Sequence, residues 1–166
     1  MFICKFVIIE RNFSVSEHLK IKTMEKKEIT SKNTSLTVSE LNNGLERFIE
    51  AQDKWDTYRT ALAEVKAGKK VTHWIWFVFP QMRGLGISEK SYYYGIANRD
   101  EAKAYINHSV LRNRLVEITE AVYNNEKSVY EIFGNDAVKV RSCMLLFASV
   151  SDIPIFKKML EKYGWK

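Results

Sequence analysis

Cysteine and proline are scarce in this chain, with two of each among 166 residues. Cys4 and Cys143 lie too far apart in sequence to form a disulfide scaffold or a Cys-rich zinc site. Seven glycines without a period exclude collagen-like and low-complexity chains. No apolar run approaches the roughly 18 residues of a membrane span. No five like charges stand together, although 26 Lys and Arg against 20 Asp and Glu leave a net +6. Residues 1–40 hold 7 bases and 5 acids and the remainder 19 and 15, with signs interspersed. That mixture argues against a nucleic-acid arm, while the surplus can attract phosphates. The apolar start from Phe2 to Ile9 is interrupted by Lys5 and followed by no small-residue cleavage site, so no secretory signal is read. Free cysteines without a signal point to the reducing cytoplasm.

What is present is a domain-sized apolar content. Of 21 aromatic residues, 18 lie from Phe48 onward, so residues 1–40 read as a polar N-terminal extension and 41–166 as the folded domain. The first 23 residues read as an over-long start, with Met24 as the ordinary one, or as a short appended strand. Leu45, Phe48, Ile49 and Gln52 follow a helical stripe, and Trp55, Tyr58, Leu62 and Val65 a second, rotated one. The rotation predicts a break between Asp53 and Asp56, where a carboxylate can cap the second piece. Asn98 to Glu101 and Ser128 to Glu131 have capping-box spacing, and Gly134 stops the second of these helices. Val110 to Val122 is amphipathic, Val138 to Ala148 is apolar nearly all round, and Pro154 opens a last helix. Thr72 to Phe79 has strand propensity. It lacks partner strands, so a buried helix ending before Pro80 fits better. The expected fold class is all-α, a compact single-domain multi-helix fold.

Residues 69–95 are the unusual stretch. Seven aromatics fall between Val71 and Tyr94, and three glycines between Gly84 and Gly95, interleaved with His73, Gln81, Ser88 and Ser91. Apolar walls with a few oriented polar groups suit a small-ligand pocket, while periodicity alone favours an aromatic core strip followed by a turn. No phosphate loop or nucleophile elbow is present. His73, His18 and His108 share no metal-ligand spacing. His73 is the best candidate for acid or base work, or a hydrogen-bonded helix-start residue.

The run Lys70-x-x-His73-Trp74-x-Trp76-Phe77-x-Phe79-Pro80-Gln81-x-x-Gly84-Leu85-Gly86-x-Ser88-x-x-Ser91, then Tyr94-Gly95-Ile96, resembles a bacterial family known as domain of unknown function 1810. Leu45-x-Arg47-Phe48-x-x-Ala51-Gln52, Glu101-Ala102-x-Ala104-Tyr105, Ile132-Phe133-Gly134 and Lys139-x-Arg141-Ser142-x-Met144-x-x-Phe147 are similar to its other blocks, in order. The resemblance covers about residues 41–163 and implies a mainly α-helical cytoplasmic domain, without bringing an activity. Some members carry the label calpastatin, which nothing in these residues supports. Ser109 stands where the family has proline, Cys143 and Leu145 replace small polar residues, and the chain ends short of a Gly-rich tail.

Together these features nominate Gln52, His73, Trp76, Gln81, Ser91 and Arg141 as a ligand-binding set, with no cofactor and no metal. Of Trp74 and Trp76, one is expected in the core and the other in the pocket wall. Arg141 serves either as an anion clamp or as a pair for Asp136 or Glu131. Cys143 reads as inert packing. The expected function is a small-ligand site for an anionic, nucleotide-like metabolite, with catalysis left open. The competing readings are a protein-interaction module using exposed aromatics and, less favoured by the charge pattern, nucleic-acid binding. No residue pattern speaks to oligomeric state.

Overall fold

The apolar stripes become nine helices among the described residues. The computed structural model describes residues 38–166, with side chains from Gly44 onward. The expected extension therefore lies almost wholly outside the described residues, while helix α1 already begins at Val38 and runs Val38–Asp53. A three-residue 3-10 turn joins it to α2, Thr57–Lys66. Two short helices follow, α3 at Ile75–Val78 and α4 at Glu89–Tyr93. Five more complete the fold: α5 Arg99–Asn107, α6 Ser109–Tyr123, α7 Val129–Phe133, α8 Ala137–Val150 and α9 Pro154–Tyr163. The only pairing of strand type among the described residues is an isolated parallel bridge, Met82 to Ile96. The domain is all-α, as its periodicity predicts.

The apolar helix α8 forms the centre. It packs on α5, α7 and α9, while α6 packs on α2, α5 and α9. Val140, Cys143, Met144 and Phe147 of α8 are fully buried, as are Leu111, Ile118 and Val122 of α6. Burial pushes the Cys143 thiol well above its ordinary pKa, so it stays protonated and acts as a small apolar side chain. The Ser128–Glu131 capping box forms in full, and Gly134 ends α7 at φ +54°, in the left-handed region that glycine enters freely. Asn98 accepts from the Glu101 N–H at 2.9 Å, but the Glu101 carboxylate turns to the Ala97 N–H at 2.6 Å and to Arg47. The second half of that expected capping box is thereby spent on tertiary structure.

The predicted break falls where expected and has a different cause. Asp56 occupies the cap position of α2 yet makes no side-chain cap bond. Instead Trp55 and Asp56 both take φ +54°, the left-handed conformation, which costs a residue with a Cβ about 1–2 kcal/mol. Trp55, expected on the buried stripe with Tyr58 and Val65, is turned outward and 86% exposed. The segment from Thr72 to Phe79 is helical for one turn only. Its ends are held by side chains from elsewhere.

Candidate functional site

The wall around His73 is built on two elements. Glu64 of α2 accepts from the Val71 N–H at 2.7 Å, the Thr72 N–H at 3.1 Å, the Thr72 hydroxyl at 2.7 Å and the Trp74 indole N–H at 2.8 Å. Burial pulls this carboxyl's pKa upward, and the four donors outweigh it, so the pKa lies below the ordinary range. Glu64 thus ties down residues on both sides of His73. From α1, Gln52 donates to the Phe77 carbonyl at 2.8 Å, and its own carbonyl oxygen accepts from Arg114 at 3.3 Å. Arg114 also pairs with Asp53 at 2.6 Å.

Arg47 performs the same service at the far end. It pairs with Glu101 at 2.7 Å, both side chains nearly buried, and donates to the main-chain oxygens of Gly44, Tyr93 and Gly95. Gly95 has no alternative at this point. A Cβ there would lie 2.8 Å from the Arg83 Cα and the Ser91 carbonyl oxygen, both main-chain atoms.

Between these supports opens a cleft of about 480 Å³. Ala51, Lys54, Trp55, Thr57 and Thr60 form one side, and Thr72, His73, Phe77, Lys90 and Tyr94 the other. Phe77 and Tyr94 pack ring to ring at 5.1 Å. Burial, with Tyr93 adding, raises the Tyr94 pKa, which keeps its phenol neutral. No carboxylate lines the cleft. Three other surface clefts among the described residues each carry acidic side chains: Glu117, Glu120 and Glu126 in one, Asp53, Asp56 and Glu117 in another, Glu46 and Glu50 in the third. Neither Lys54 nor Lys90 forms an ion pair among the described residues. Lys54 lies over the Trp55 ring at 4.5 Å and Lys90 over the Trp76 ring at 5.5 Å.

Of the residues nominated from sequence, His73 alone lines this cleft. Gln52 is buried directly behind it, through its bond to Phe77. Trp76 is half-buried outside the cleft lining, flanked by Lys90 at 5.5 Å and Lys139 at 6.0 Å. Trp74 is fully buried, the core half of the expected division, while Trp76 does not line the cleft as the other half required. Ser91 is buried and caps locally, its hydroxyl donating to the Ser88 carbonyl at 2.6 Å while Ser88 receives the Ser91 N–H. Gln81 is half-buried in the turn, its carbonyl accepting from the Ile96 N–H. Arg141 stands apart on the exposed side of α8 and donates to the Lys166 main-chain oxygen at 2.6 Å. Asp136, considered as its partner, is taken by Lys70 at 2.9 Å and Lys139 at 2.6 Å, and Glu131 is engaged with Ser128. These bonds hold the Asp136 pKa below its ordinary value against the upward pull of burial.

Lys54, Trp55, Thr57, Thr60 and Lys90 were not legible as site residues. No local pattern marks a tryptophan held outward at a helix break.

No helix among the described residues is long and apolar enough to cross a membrane, and no group of three His, Cys, Asp or Glu side chains there could hold a metal ion. No curated protein matches the chain. The crystal structure of the conserved hypothetical protein Rv1873 from Mycobacterium tuberculosis is similar, with 44% sequence identity over 74% of this chain and 89% of that one and a TM-score of 0.70. The family model described as protein of unknown function (DUF1810) matches residues 42–165, a span that holds both sides of the cleft and the Arg47, Gln52 and Glu64 supports between them. Arg47 and Glu101, far apart within that span, meet in one ion pair, and the chain belongs to the DUF1810 family.

Proposed function

We propose that the cleft around His73 binds a small, anionic, nucleotide-like metabolite in the cytoplasm. One observation carries the reading: Lys54, His73 and Lys90 converge on a concavity whose lining has no carboxylate, unlike the three other clefts. Ammonium groups left without an ionic partner in a walled cleft favour an anion. The rings of Trp55, Phe77 and Tyr94 add the flat apolar walls that fix a planar ligand. An imidazole can transfer a proton as well as bind an anion. Acid–base chemistry at this site, where it occurs, runs through His73. Trp76 lies against Lys90, and Gln52 supports the cleft from behind. The buried, unpaired thiol of Cys143 fits a reducing compartment.

The test is thermal melting of the full chain with inorganic phosphate, ribose 5-phosphate and nucleoside monophosphates. A ligand at 100 times its Kd stabilises by about 2.7 kcal/mol. The expected result is a raised Tm that Lys90→Glu and His73→Ala abolish. No shift across the panel, or a shift unchanged by Lys90→Glu, overturns the reading.

A protein-interaction role has a different observation behind it. Leu85, Ile87 and Tyr92 leave large apolar side chains in solvent after Gly84. On that reading a photo-crosslinker placed at Ile87 traps one defined partner in cells, and its absence sets the reading aside.

A further inference from the structure

Trp55 is held in place at a cost that its packing does not offset. It sits at φ +54°, ψ +30°, followed by Asp56 at φ +54°, ψ +36°. Left-handed backbone is disfavoured for every residue with a Cβ, and two in succession without glycine is a strained joint. In return the indole reaches no core partner: it is 86% exposed and stands outside the buried cluster. The joint instead delivers a large flat ring to the edge of the carboxylate-free cleft, with Lys54 4.5 Å from its centre.

We propose that Trp55 is a base-stacking platform: it receives the ring of a nucleotide whose phosphate is held by His73 and Lys90. The inference rests on the anion-binding reading of the cleft and deepens it, from a nucleotide-like metabolite to a nucleotide whose base stacks on Trp55. A sugar phosphate satisfies the cations and leaves the indole in water. A nucleoside covers the indole and leaves Lys90 without a counter-charge. A nucleotide does both within a volume ordinary for a small-molecule site. The indole is open to a base at 86% exposure, with the Lys54 ammonium 4.5 Å from its centre, and stacking of this kind accepts any base because each has a π-face.

The experiment is calorimetric titration of the full chain with AMP and with ribose 5-phosphate, for the wild type, Trp55→Ala, Trp55→Phe and Lys90→Glu. The wild type should bind AMP at least about fivefold more tightly than ribose 5-phosphate, the worth of one weak base–aromatic stack. Trp55→Ala should erase that ratio and leave ribose 5-phosphate binding unchanged, and Trp55→Phe should keep most of it. Because the side chain has no core contacts, Trp55→Ala should melt as the wild type does. Equal affinity for the two ligands in the wild type, or equal weakening of both by Trp55→Ala, overturns the platform. The anion site survives that outcome if ribose 5-phosphate binds and Lys90→Glu removes it. Failure of both ligands to bind overturns the platform and the anion reading together.

Discussion

The indole N–H of Trp74 donates to Glu64 at 2.8 Å, and through this bond a carboxylate on α2 fixes a tryptophan that is otherwise wholly within the core. A buried indole N–H has one donor and needs one acceptor. Glu64 supplies it while also gathering the Val71 and Thr72 N–H groups.

Glu64→Ala should therefore destabilise the domain by about 1–3 kcal/mol, the cost of leaving a buried donor without a partner. Urea unfolding measures this directly, and a change below about 0.5 kcal/mol would show that water replaces the carboxylate. The pH dependence has a definite sign. Glu64 has a folded pKa below its ordinary 4.5, so its contribution is complete above that value and is lost as pH falls through the folded pKa. Glu64→Gln should flatten the acid limb of the stability curve, leaving the slope due to Glu131 and Asp136, whose pKa values are also lowered.

Arg47 and Glu101 form a pair with side-chain exposures of 12% and 8%. Breaking such a pair from one side costs about 3–5 kcal/mol, because the survivor is left buried and charged. Arg47→Met alone should approach that loss. The double change Arg47→Met with Glu101→Leu should recover a measurable part of it, and a double mutant as unstable as the sum of the singles would refute the explanation.

Trp55→Gly relieves left-handed strain at a position with almost no packing to lose. The expected Tm is equal to or above that of the wild type, with a gain of up to about 1 kcal/mol after glycine's extra unfolded-state entropy is counted. Gly95→Ala should do the reverse, with a loss of about 2 kcal/mol or more, since its methyl meets main-chain atoms at 2.8 Å that cannot swing aside. Differential scanning calorimetry of the two variants checks both.

Phe147 and His73 should separate stability from binding. Phe147→Ala removes a fully buried ring from α8 and should cost about 3–5 kcal/mol. His73→Ala changes an exposed side chain and should cost under about 0.5 kcal/mol while weakening ligands of the cleft. A His73→Ala protein that fails to fold would make the imidazole structural.

Sequence reading succeeded where the controlling interactions are local. The Ser128–Glu131 capping box, the Gly134 stop and the Pro154 start each lie within a few residues, and all are realised. The break near Asp53 was legible as a change of stripe, but not the outward turn of Trp55, because left-handed backbone at two non-glycine residues leaves no mark in composition. His73 could be picked out from its aromatic setting. Arg141 could not be placed, since helical periodicity does not say which neighbour an exposed face meets, and its partner proved to be Lys166. Glu64 was missed because its four donors come from residues 71–74, around a turn that propensity does not describe.

The stretch between α2 and α5 has only nine residues in helix and one isolated bridge, so its own backbone repeats provide little resistance to opening. Arg47, Gln52 and Glu64, rooted in α1 and α2 on the opposite side of the cleft, hold it, as do the Lys70–Asp136 pair and the packing of Trp74 and Phe79 on Phe133. That side of the cleft thus keeps its shape only while docked on the helices around it. The cleft has no private melting transition: on heating, ligand binding and the core should disappear in one cooperative step, and native-state hydrogen exchange at the Val71, Thr72 and Ile96 amides should proceed through global unfolding rather than through a looser local motion.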